Sequence, residues 1–100
     1  MSLGKIGERI AQKLQAAFSP SQLEVVDESH KHAGHAGARP GGETHFQVRI
    51  VAGAFQGKSL LDRHRLVNET LAEELAGPVH ALSITALSIS EADRQEQPRR

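Results

Sequence analysis

A chain of 100 residues can bury one modest core and has no room for a separate substrate domain. Its 12 basic and 12 acidic residues cancel, so it lacks the broad positive field that draws phosphate backbones. With no cysteine there is no disulfide, no cysteine nucleophile and no four-thiolate metal site, which leaves histidine and carboxylate as the metal-binding chemistry.

Leu3, Ile6, Ile10, Leu14 and Ala17 recur at spacings of three and four, which predicts a helix that Ser19-Pro20 stops. Residues 23–28, with paired valines, read as a short strand. Residues 44–51 read more clearly as one, because Phe46, Val48 and Ile50 alternate with His45, Gln47 and Arg49. Between the two strands lies SHKHAGHAGARPGGE, residues 29–43, a glycine-rich loop with three of the six histidines. It exceeds an ordinary hairpin connection, and such loops are usually functional or mobile.

Ser59 and Asp62 resemble a capping box opening a helical stripe of Leu60, His64, Val67, Leu71 and Leu75, closed by Gly77-Pro78. Alternation over residues 79–89 predicts a third strand, and Ser90-Glu91 could start a short last helix. The order predicts an α+β domain over residues 1–90, with residues 91–100 as a flexible tail. No run approaches the roughly 20 apolar residues of a membrane span and no secretory signal is visible, so a cytoplasmic protein without membrane contact is expected.

The helical segment between the second and third strands is expected to return the chain parallel to the strand it left. The third strand then begins beside the start of the second, where the loop enters. His80 should therefore approach His32 or its loop neighbours. Two imidazoles, one on a loop and one on a strand end, make an incomplete metal site that a partner can finish.

The run FQGKSLLDRHRLV at 55–67, LAEEL at 71–75 and VHALSI at 79–84, extended by VVDESHKH at 25–32 and ETHFQV at 43–48, resembles the BolA family. That resemblance implies an αββααβα fold, a three-stranded mixed sheet with helices on one face, similar to the class II KH domain. It further implies an adaptor that pairs as a heterodimer with a monothiol glutaredoxin and glutathione and shares their [2Fe-2S] cluster, with none expected in the isolated chain. The family's invariant histidine ligand falls on His80, and its variable loop ligand on His32, with His30 and His35 as lesser candidates. Two histidine ligands would raise the cluster's reduction potential relative to thiolates.

Against these stand blander readings. His80 could simply cap its strand in a partly buried position. His30, His32 and His35 could be solvated, or form a self-contained zinc triad, although zinc sites usually sit on rigid scaffolds. Phe55, Gly57 and His64 read as structural residues, His64 lying in the core between an outward Arg63 and Arg65. Those two arginines and Lys58 are candidates for contact with a partner's carboxylates or with nucleic acid. The alternative function is a KH-like nucleic-acid-binding transcriptional regulator. Its support is thin, since Gly57 has no second glycine three residues on, and Asp62, Glu69, Glu73 and Glu74 dilute the basic patch. An enzyme is not expected: there is no placeable Ser-His-acid set, and GARPGG does not make a phosphate-binding loop.

Overall fold

Ile6, Gly7, Ile10, Leu14 and Phe18 follow a helical repeat, and in the computed structural model, which describes residues 4–28 and 44–96, they form the inward face of helix α1, Lys5–Phe18. Ala17, expected on that face, is exposed. The helix ends where Ser19 turns left-handed at φ 44°, and the Ser19 N–H donates to Gln15 O at 3.0 Å. Pro20 cannot continue it.

Strand β1, Gln22–Asp27, pairs antiparallel with β2, His45–Val51, in the register Leu23 to Ile50 and Asp27 to Phe46. Strand β3, Ala81–Leu87, runs parallel to β2 with His45 opposite Ala81 and Val51 opposite Leu87. The sheet order is β1-β2-β3. The crossover from β2 to β3 passes through a single 3-10 turn, Gly53–Phe55, then α2, Leu60–Thr70, and α3, Ala72–Ala76. Helix α4, Ile89–Glu96, completes the expected αββααβα order.

Alternation along β2 sends Phe46, Val48 and Ile50 to one face, where they meet Ile10 and Leu14 of α1, Val67 of α2, and Phe55, Leu71 and Val79. Phe55 is fully buried, its ring centre 5.2 Å from that of Phe18. Gln47, Ser83 and Thr85 alternate to the other face and are exposed. A separate small cluster joins Val51 and Leu87 at the strand ends to Ala92 of α4.

Ser59 caps α2, its Oγ accepting from the Asp62 N–H at 3.1 Å. The buried stripe of this helix is nevertheless displaced from the expected one. Leu60 is 64% exposed, His64 is half-buried, and Arg63, expected to point outward, is 5% exposed. A buried guanidinium is tolerable only when its donors are matched. Arg63 Nε donates to Lys58 O at 2.9 Å, and Nη1 to Ala86 O at 3.0 Å. Nη1 and Nη2 reach the two Glu91 carboxylate oxygens at 2.6 and 3.3 Å.

Glu91 in turn closes a capping box at the start of α4. The Ser88 N–H donates to Glu91 Oε1 at 2.8 Å and the Glu91 N–H donates to Ser88 Oγ at 3.2 Å. The cap is therefore Ser88 rather than Ser90. The folded domain also runs past residue 90, because Glu91 is ion-paired and Ala92 buried.

Glu74, expected among the surface acids, is 1% exposed. Arg9 Nη2 donates to its Oε2 at 2.7 Å and Lys13 Nζ donates to its Oε1 at 3.1 Å, which ties α1 to α3. Among the described residues, no buried side-chain nitrogen or oxygen lacks a hydrogen-bond partner.

A candidate metal-binding end of the sheet

Because β3 lies parallel to β2, both strands start at the same end of the sheet. Because β1 is antiparallel to β2, β1 finishes there too. Residues 28 and 44, on either side of the histidine-rich segment, are thus brought to one place. The Glu28 N–H donates to His45 O at 2.7 Å. On the other side, Thr44 O accepts from the His80 N–H at 2.7 Å and from the Ala81 N–H at 3.2 Å.

His80 is consequently fixed by its backbone at the mouth of β3, while its side chain is exposed rather than partly buried. Its ring lies beside that of His45, the first residue of β2. The two imidazole centres are 6.2 Å apart and their planes differ by 17°. Thr44 is completely buried, and its Oγ1 lies 2.8 Å from His45 Nδ1 in a hydrogen bond that steadies the imidazole.

The sequence pattern did not single out His45, which reads as a polar position in a strand alternation. Only the β2–β3 register, a long-range property, sets it beside His80. His30, His32 and His35 lie outside the described residues. Among the described residues, no three histidines, cysteines, aspartates or glutamates gather as a metal site. What this end offers is two imidazoles, His80 exposed and His45 half-buried. Imidazole nitrogens can replace cysteine thiolates on one iron of a two-iron cluster, so the donor type fits such a group while the donor number leaves it incomplete.

The proposed contact residues stand elsewhere. Lys58 lies beyond the other end of β2, whose seven residues span about 20 Å. Lys58 and Arg65 are exposed, alongside exposed Asp62 and Glu69. Arg63 is held inward by Glu91 and offers no surface group. Gly57, at φ 77°, supplies the left-handed turn that leads into Ser59. No helix among the described residues is long and apolar enough to cross a membrane.

A family model described as BolA-like protein matches residues 14–91. The chain belongs to the BolA-like family. It is 50% identical over 86 residues to the DNA-binding transcriptional regulator BolA of Escherichia coli (strain K12), covering 86% of this chain and 78% of that protein. It is also 50% identical over 95 residues to SufE-like protein 1, chloroplastic/mitochondrial, of Arabidopsis thaliana; the match takes in 91% of this chain and 26% of the longer protein. The solved BolA domain of SufE1 from Arabidopsis thaliana superposes with a TM-score of 0.82 at 51% identity, covering 90% of this chain and 99% of that one. The BolA-like match and the αββααβα order agree on one α+β fold.

Proposed function

We propose that this BolA-like chain is an adaptor that docks on a monothiol glutaredoxin carrying a glutathione-ligated [2Fe-2S] cluster. It would complete the cluster's ligand set with His80 and with a histidine of residues 29–43, His32 by its place in the motif. The role is cluster trafficking or iron regulation rather than turnover of a substrate. One observation carries this reading. An exposed imidazole sits at the sheet end where Glu28 and Thr44 anchor both sides of the histidine-rich segment, in a chain without any thiol. Such a donor set holds iron and sulfide only when thiolates come from another molecule. The proposed setting is the cytoplasm, and fractionation of cells expressing a tagged full-length chain tests it.

Mixing the protein with cluster-loaded monothiol glutaredoxin should change the visible absorption and circular dichroism of the cluster. His80→Ala should abolish that change. Spectra that stay the same with wild type and variant alike would remove the basis for the adaptor.

A second reading draws on the printed name of the Escherichia coli relative, a DNA-binding transcriptional regulator, and on exposed Lys58 and Arg65. With zero formal net charge and Arg63 withdrawn from the surface, few phosphate contacts remain to this chain. A sequence-selective gel shift by the free protein, weakening steeply with salt, would promote this reading over the first.

A further inference from the structure

We propose that the outer edge of β3 is a self-association surface, on which a second copy of this chain pairs strand to strand, antiparallel, about a twofold axis through Ser83.

Strand β3 is the last in the sheet, so among the described residues one of its sides has no strand beside it. Which backbone groups face that side follows from the bonds at its two ends. The Ala81 N–H donates to Thr44 O at 3.2 Å and Leu87 O accepts from the Ala52 N–H at 3.0 Å, both toward β2. Backbone groups alternate sides from one residue to the next, so residues 81, 83, 85 and 87 spend theirs on β2, and those of Leu82, Ile84 and Ala86 turn outward. Ala86 O fits this phase, because it accepts from Arg63 Nη1 rather than from β2. The open stretch is bounded at both ends. Arg63 takes Ala86 O, and the His80 N–H is drawn inward to Thr44 O at 2.7 Å. Leu82 and Ile84 remain, each with an outward N–H and an outward C=O.

Two features point to the occupant. The first is charge. Sheet edges are commonly guarded against pairing by charged residues. The opposite edge strand, β1, carries Glu24 and Asp27, whereas β3 carries no charged residue and no proline. Two β3 strands therefore meet without a like-charge pair.

The second is self-complementarity. With Ser83 on the axis, Leu82 lies opposite Ile84 of the second copy, and Ile84 opposite its Leu82. Each of these pairs exchanges two backbone hydrogen bonds, four in all. Leu82 and Ile84 are half-buried where Val48 and Ile50 of the central strand are completely buried, and the pairing gives each a further apolar neighbour. On the exposed side of the sheet Ser83 faces Ser83, and Ala81 faces Thr85, small residues that allow close approach. A twofold contact uses the same surface on both copies, so the assembly closes at two. So short a pairing buries much less than the about 800 Å² per partner of a standard interface, which makes the dimer weak, with a Kd on the order of hundreds of micromolar.

The test is sedimentation equilibrium of the full chain from about 10 µM to about 2 mM, a range that brackets such a Kd, with amide hydrogen exchange by NMR at both extremes. Wild type should pass from monomer to dimer and no further, and the Leu82 and Ile84 amides should gain protection as concentration rises. Ser83→Lys sets two ammonium groups against each other on the axis and should weaken the dimer by about fivefold. Ala81→Lys/Thr85→Lys should weaken it to a similar degree. Ala81→Lys/Thr85→Glu places opposite charges in the same two pairs and should leave the dimer as strong as wild type or stronger. All three positions are exposed, so each variant should keep the wild-type circular dichroism.

A chain that stays monomeric to the top of the range would overturn the proposal, whether the edge then serves another protein's strand or none. So would a dimer indifferent to Ser83→Lys, a lysine-glutamate variant weakened as much as the double lysine variant, or growth beyond two copies. The adaptor reading neither supports this dimer nor falls with it.

Discussion

Arg63 Nη1 donates to Glu91 Oε1 across 2.6 Å, and through that contact helix α2 holds the first turn of α4 against the end of the sheet. The same guanidinium bonds Lys58 O and Ala86 O, so one side chain joins the glycine turn, α2, β3 and α4. Arg63→Ala removes all of these donors at once and leaves the Ala86 carbonyl without its partner. It should cost about 3 kcal/mol, read as a lower urea midpoint, with α4 amides the first to exchange.

The Arg63 guanidinium, then the Ser88 N–H, hold the Glu91 carboxyl down at about 2, below its ordinary 4.5. A carboxylate lowered in the folded state stabilises fully above its unfolded value and loses that contribution as pH falls toward its folded value. Stability from this pair is therefore constant at neutral pH and declines between about 4.5 and about 2. Thermal unfolding measured across that window should show a steeper fall for wild type than for Glu91→Gln, whose midpoint is lower at pH 7. Parallel curves would remove Glu91 as the source.

Glu74 makes a different kind of prediction. Its carboxylate is 1% exposed and answered by Arg9 and Lys13, which are 51% and 30% exposed. Removing both cations strands a buried charge, whereas replacing the acid by an apolar residue strands none. Arg9→Ala/Lys13→Ala should lose about 3–5 kcal/mol, while Glu74→Leu should lose far less. Equal losses in chemical denaturation would show that packing, not charge, sets the cost.

Gly57 has φ 77° and open space where a Cβ would stand. Gly57→Ala is therefore opposed by backbone strain alone, about 1–2 kcal/mol, without a clash. An equilibrium unfolding experiment that finds no loss would show the turn to be relaxed by its neighbours.

Much of this architecture is legible in the residues themselves, because alternation in β2 and the three-four repeat of α1 are local patterns with one dominant cause, burial of apolar side chains. Legibility fails where a charged side chain is buried. Arg63 and Glu74 read as surface residues because a hydropathy pattern cannot see the partner, 28 residues away for Arg63 and 65 for Glu74, that makes each burial tolerable. The buried stripe of α2 is displaced from Leu60 and His64 onto Arg63 for that reason. At the candidate site, the parallel return of β3 is deducible from the helix-containing crossover, and it brings His80 to the end where Thr44 enters the sheet. His45 is invisible to the same reasoning, because its nearness to His80 depends on a register that no short motif encodes.

The most direct measurement for the adaptor claim is anaerobic co-purification with a monothiol glutaredoxin, followed by iron and sulfide analysis. Wild type should elute as a heterodimer holding a two-iron, two-sulfide cluster per pair, and the His80→Ala complex should lose it or hold a cluster of altered spectrum. A cluster of the same content and spectrum with His80→Ala, or no heterodimer with wild type, would contradict the account.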